Sequence, residues 1–277
     1  MSINFYVNFL YFIIYSVIGW MCEVVFCSIP ERRFVNRGFL NGPLCPIYGF
    51  GALIVIFSLN PFKENIFLVF IFGLLFTSVL EYLTSYIMEK LFHSKWWDYS
   101  DNKFNIHGRV CLLNSILFGI MSVFVIFILH TKIQELVAGI SYLWVQALAI
   151  FFLVILTADL TITIQSAVNI NEKLQKLRDL SSEIKEKFDE KQLFMESKIY
   201  DRISMLKENI ENLEYGKELY SKIERLLKDF NQTIKSNKFF ERRLIRAFPN
   251  MKSTKFNEQF QALKKELEKF RNKNKRK

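Results

Sequence analysis

Five apolar runs, at residues 5–28, 45–60, 65–88, 109–130 and 140–166, occupy most of the first 170 positions of this chain. A helix needs roughly 20 mostly apolar residues to cross a bilayer, whereas the average helix of a soluble domain has about 11–12. Four of the five runs pass the longer measure. The expected fold is therefore all-α, a polytopic membrane protein with about five transmembrane helices. The second run is short and the fifth is long. The first, "MSINFYVNFLYFIIYSVIGW", has neither a basic leader nor a small-residue cleavage site, so it reads as a retained membrane helix.

Charge divides the chain at the end of the fifth run. Residues 1–170 carry nine Lys/Arg and nine Asp/Glu, so the remaining 28 and 18 hold the whole net charge of +10. This predicts a transmembrane domain over 1–170 and a basic cytoplasmic helical tail over 171–277. Basic residues also set direction. Arg32, Arg33 and Arg37 lie in the first loop and Lys90, Lys95, Lys103 and Arg109 around the third, against Lys63 and Lys132 in the other two. Basic loops stay in the cytoplasm, which puts the N-terminus outside and the C-terminus inside.

The two basic loops resemble each other. Phe34, Gly38 and Gly49 have the spacing of Phe104, Gly108 and Gly119, and Glu23 and Glu31 that of Glu81 and Glu89. Two parallel helical-hairpin repeats plus a fifth helix would account for both coincidences. Gly42, Pro43, Pro46, Gly49 and Gly51 predict an irregular, partly unwound or re-entrant start to the second crossing.

Glu23, Glu81 and Asp159 each fall within an apolar run, roughly 8–11 Å from its cytoplasmic end at 1.5 Å per residue. A carboxylate deep in a membrane helix costs roughly 2.5–3.5 kcal/mol on insertion scales and needs a partner, a proton or water. Arg37 and Arg109 are the candidate partners, because a guanidinium matches a carboxylate bidentately. Either these charges clamp helices, or they line a polar vestibule that binds an ion or anionic substrate. The candidate binding residues are Glu23, Arg37, Asn41, Glu81, Arg109 and Asp159. Candidate loop-lining residues are Asn36, Gly38, Gly42, Pro43, Trp97, Asp98, His107 and Gly108.

Other chemistry finds little support. The four cysteines show no paired spacing for a disulfide framework, and none lies in a C-x2-C or H-x3-H pair of the kind zinc uses. Neither a metal nor any other cofactor is expected. No G-x4-G-K-[ST] phosphate loop occurs. In the tail, Ile199, Ile203, Leu206, Ile210 and Leu213 form one heptad seam, and Phe256, Phe260, Leu263, Leu267 and Phe270 a second. These predict a coiled coil, as a hairpin or a homodimer. "RNKNKRK" at 271–277 reads as unstructured. The basic tail is expected to meet membrane lipids of the anionic inner leaflet rather than nucleic acid.

Together, "GWMCE" (19–23), "FVNRGFLNGPLCPIYGFG" (34–51), "LEYLTSYIMEKLF" (80–92) and "WWDYSDNKFNIHGRVCL" (96–112) resemble a family of bacterial membrane proteins, the putative ABC-transporter type IV or CmpB-like family. The resemblance implies a multi-pass permease in the cell membrane. With no phosphate loop here, it also implies a separate ATPase subunit. Three functions use the same residues. The first is a transport-related membrane subunit. The second is a membrane enzyme acting on a lipid or lipid-linked headgroup, with Glu81 or Glu23 as base and Arg37 and Arg109 as anion clamp. The third is a non-catalytic scaffold or regulator working through its tail.

Overall fold

A computed structural model describes residues 4–32, 34–189, 225, 228–229, 232–233 and 239–275. The described chain is mostly helical, as expected where backbone polar groups must be satisfied internally. Helix α1 (Phe5–Glu31) starts where the Asn4 side chain accepts the Tyr6 N–H at 3.1 Å, and it ends at Arg32 in the left-handed region, φ 47°. Helix α3 (Ile66–Phe92) repeats that design. Asn65 caps the N–H groups of Phe67 and Leu68, and His93 closes the helix at φ 50°. Each has 27 residues.

The return helices differ. Helix α2 (Pro46–Leu59) has Pro at its first turn, where the missing N–H costs nothing, and only 14 residues, about 21 Å. A short 3₁₀ turn, Asn60–Phe62, follows it. Helix α4 (Leu112–Phe124) passes through a π turn, Val125–Leu129, into α5 (His130–Ala138). Helix α6 runs from Tyr142 to Asp189. Among the described residues, four stretches are long and apolar enough to cross a membrane: Phe5–Ile29, Ile66–Phe92, Leu112–Ala138 and Tyr142–Leu180. Pro46–Phe62 is apolar but shorter.

The chain forms two compact units. The first comprises Met1–Val168 with Arg243–Lys255, and the second Asn169–Arg242 with Phe256–Lys277. Within the first unit, glycines let neighbouring helices meet. A Cβ on Gly49 of α2 would lie 2.3 Å from Ser16 Oγ and 2.6 Å from the Phe12 carbonyl of α1. On Gly119 of α4 it would meet Phe70 at 2.8 Å and Leu74 at 3.2 Å on α3. Phe70 and Leu74 lie 58 positions after Phe12 and Ser16, the offset that also separates Glu81 from Glu23. Helix α6 lies along α1 in the same direction. Tyr142 meets Tyr6, and Val145 and Ala149 cluster with Leu10.

Two short antiparallel strand pairs complete this unit. Asn105–Ile106 (β2) folds back on Val110–Cys111 (β3). The turn between them needs Gly108, at φ 68°, because a Cβ there would lie 2.5 Å from Asp98 Oδ1 and Ser100 Oγ. Ser94–Lys95 (β1) pairs with Lys252–Ser253 (β4), which follows helix α7 (Phe239–Ala247).

In the second unit, α8 (Asn257–Lys275) and the later part of α6 bury apolar stripes: Phe260, Leu263 and Leu267 on one, Ile170, Leu174 and Leu177 on the other. Arg178 lies over the Phe256 ring, and Lys173 pairs with Glu241. The expected seam over 256–267 is thus buried, whereas the seam over 199–213 lies outside the described residues. Residues 271–275 are helical rather than unstructured. Basic residues favour a helix C-terminus, so "RNKNK" can extend α8.

Replacing Gly49 with alanine is expected to destabilise the protein by about 1–3 kcal/mol, because one of the atoms in the way is backbone. Gly119→Ala should cost less, since the Phe70 ring can yield. Unfolding titrations in mixed micelles would measure both, and equal stability of Gly49→Ala and wild type would contradict this packing.

Candidate functional site

From Phe34 to Cys45 the chain returns along α1 without helix. The contacts mark its path. Val35 N–H donates to Ser28 Oγ at 3.0 Å, Trp20 Nε1 donates to Asn36 Oδ1 at 2.7 Å, and Cys45 N–H donates to the Ser16 carbonyl at 3.0 Å. Ser16 lies 15 residues before the end of α1, roughly 22 Å along its axis. The segment thus runs beside α1 before the 14-residue α2 begins. Of the residues expected to make the start of the second crossing irregular, Gly42 and Pro43 lie in this non-helical stretch, whereas Pro46, Gly49 and Gly51 lie in regular helix.

Such a segment exposes backbone donors that a helix would satisfy itself. Asp159 on α6 takes them. Its Oδ1 accepts the Asn41 N–H at 2.9 Å and Asn41 Nδ2 at 2.8 Å, and its Oδ2 accepts the Gly42 N–H at 2.7 Å. Thr163, one turn on, donates to the same carboxylate at 3.1 Å and accepts from Asn41 Nδ2 at 2.9 Å. Asn36 Nδ2 braces the Asn41 carbonyl at 3.1 Å. A carboxylate with this many donors is satisfied without an arginine.

The other two acids are held differently. Glu23 accepts the Tyr48 hydroxyl at 2.7 Å and lies 3.8 Å from Arg37 Nε. Glu81 is 5% exposed. Its Oε1 accepts the Tyr99 hydroxyl at 3.2 Å, and its Oε2 has no hydrogen-bond partner among the described residues. Burial holds the Tyr99 hydroxyl well above its ordinary range, reinforced by the carboxylates of Glu81 and then Glu23, so Tyr99 stands near both acids. Arg109 pairs at 2.8 Å with Glu89 rather than with any of the three deep acids, and lies over the rings of Tyr82 and Tyr86.

The remaining loop residues scatter around this layer. Gly38 is buried against Trp20, Leu44 and Cys45, and Pro43 is exposed. Trp97 donates to the Arg109 carbonyl at 3.0 Å, and His107 meets the Tyr82 hydroxyl at 3.0 Å. Asp98 accepts from Ser100 and pairs with Lys252 at 2.7 Å. Hydrogen bonds from Lys252 and Ser100 hold its carboxyl down to about 2. Among the described residues, no group of three or more His, Cys, Asp and Glu is placed to hold a metal ion.

The segment 243–255 closes over both loops. Arg37 Nη1 donates to the Ala247 carbonyl at 2.7 Å and its guanidinium lies over Phe248. Arg243 reaches the carbonyls of Gly38 and Phe39. Trp96, 2% exposed, is enclosed by Phe39, Phe92 and Phe248. Thr254 bonds the His93 carbonyl through both N–H and hydroxyl at 2.9 Å. Sequence reasoning missed Tyr48, Tyr99, Thr163 and Arg243. Only Thr163, four residues after Asp159 on the same helix, carried a local signal.

Residues 10–164, more than half of the chain, match the family described as "Putative ABC-transporter type IV". The chain belongs to that family. With four helices among the described residues long and apolar enough to cross a bilayer, it is a membrane protein. No curated protein and no solved structure matches it.

Breaking the Arg109–Glu89 pair from either side is expected to cost on the order of 1–3 kcal/mol, because the surviving charge stays half-buried without its partner. The charge-reversed double variant Glu89→Arg/Arg109→Glu should regain at least half. Unfolding free energies of the four proteins give this directly, and strict additivity would contradict the pairing.

Proposed function

We propose that this protein is a transport-related subunit of the cell membrane that works through its re-entrant segment. The reading has five crossings, counting the extended segment with α2 as one, the N-terminus outside, and the basic loops and tail inside. The observation that carries it is Asp159 binding the backbone N–H groups of Asn41 and Gly42. Non-helical backbone at membrane depth persists only where protein or a wet cavity satisfies it, and interrupted helices are where transporters hold their ligands. The family description points the same way. With no phosphate loop in the chain, ATP hydrolysis would belong to a separate subunit.

In this reading Glu81 is the ion-handling group, since one buried oxygen has no partner among the described residues. Arg37 and Arg109 are already engaged by Glu23 and Glu89, which favours a cation or proton over an anion at the polar layer. The same engagement weighs against a headgroup enzyme that uses both arginines as its clamp. The equivalent glycine crossings at Gly49 and Gly119 support two parallel hairpin repeats. A scaffold role has one specific support, the docking of residues 243–255 over the loops. Lipid contact through the basic tail and pairing of two chains fit any of these roles.

Purification of the full chain in lipid nanodiscs, with mass spectrometry of what accompanies it, tests the transport reading. A nucleotide-binding subunit is expected to co-purify with wild type and with Glu81→Gln, and its ATPase rate to change only with wild type. In the same preparations a thiol reagent should reach Asn65→Cys from outside and Ser100→Cys only after permeabilisation. Absence of any ATPase partner would overturn the transport reading, and reversed labelling would overturn the orientation.

A further inference from the structure

The carbonyl oxygens of Gly38 and Phe39 take no backbone donor among the described residues. Both are taken by one side chain. Arg243 Nη1 donates to Gly38 at 3.1 Å and Nη2 to Phe39 at 2.6 Å. Burial lowers the hold of this guanidinium on its proton, and the Asp159 carboxylate acts in the opposite sense, so the acid stands close enough to stabilise the charge. Two converging carbonyl dipoles backed by a carboxylate form a cation site. The Nε of Arg243, although buried, has no acceptor among the described residues. Only the outer edge of the guanidinium is recognised, the part that a free guanidinium compound also presents.

We propose that the Gly38 and Phe39 carbonyls, with Asp159 behind them, form a binding site for a guanidinium group, which Arg243 occupies as a tethered competitor. This rests on the reading of the re-entrant segment as the working part of the membrane domain. The geometry explains why a second arginine, Arg37, holds the Ala247 carbonyl at 2.7 Å, one turn after Arg243. It fixes the helix that delivers the competitor. A tethered group acts at an effective concentration of roughly millimolar, so a free ligand must exceed that to displace it. Release of residues 243–255 opens the site, and their docking closes it.

The source of the guanidinium, a free solute or an arginine on a peptide, is separated by using two probes. Full-length wild type, Arg243→Ala and Arg243→Lys in nanodiscs are titrated with methylguanidinium, with tetramethylammonium as a cation lacking N–H donors, and with a synthetic peptide of residues 239–255. The expected result is a melting-temperature rise in both variants with methylguanidinium, at concentrations at least tenfold below those needed by wild type. Tetramethylammonium should have no effect. If the peptide then binds the variants more tightly still, an arginine-bearing chain is the better ligand; if it binds no better, the ligand is a free solute. Arg243→Lys keeps the charge and guards against failure of the alanine variant to fold. Equal response of variants and wild type, equal action of tetramethylammonium, or binding of the peptide without methylguanidinium would each overturn the site. Because the readout is binding, a failed search for an ATPase partner would leave this result standing.

Discussion

The structure depends on how a non-helical segment is held among apolar helices. A buried backbone N–H without a partner costs several kcal/mol, and residues 34–45 form no helix that would pair theirs. Asp159 satisfies two, Ser28 a third, and the Ser16 carbonyl a fourth. The burial cost of the carboxylate is offset by the same bonds that satisfy the strand. Each needs the other, so Asp159 and residues 34–45 stand or fall together. Leu40 and Leu44 seal the segment by packing on Phe12, Ile13 and Phe152.

The second hairpin solves the same problem with more chain. Nineteen residues, 93–111, separate α3 from α4, against fourteen, 32–45, between α1 and α2. The loop before it folds on itself through β2 and β3 and the Gly108 turn instead of leaning on α6. This leaves Glu81 with one tyrosine where Glu23 has a tyrosine and an arginine. The two acids thus stand in unequal surroundings.

Much of this was legible in the sequence because it follows from hydropathy and from backbone chemistry. Apolar run length gave the long helices, and the cluster of glycine and proline gave the broken start of α2. The coincidences of spacing include Gly49 and Gly119, each of which meets the preceding long helix closely. What was hidden were long-range pairings. Charge alone does not tell Arg109 to prefer Glu89 over Glu81, because that choice depends on which helix faces the third loop. The fold-back of residues 243–255 was equally invisible: "RRLIRAFPN" reads as a basic amphipathic helix, and nothing local says that it caps the loops. Residues 271–275 are helical because a preceding helix carries a lysine-rich stretch that looks unstructured by itself.

Cys45 offers a native reporter of the central interaction. It is 7% exposed, caps α2, and is held by the strand that Asp159 secures. The rate of its modification by N-ethylmaleimide in nanodiscs, read by mass spectrometry against buried Cys111, measures how often that strand leaves its place. If Asp159 holds the strand, Asp159→Ala will speed modification of Cys45 at least tenfold and leave Cys111 unchanged. If Cys45 reacts at the wild-type rate in that variant, the strand is held by something else and this account of the membrane domain fails.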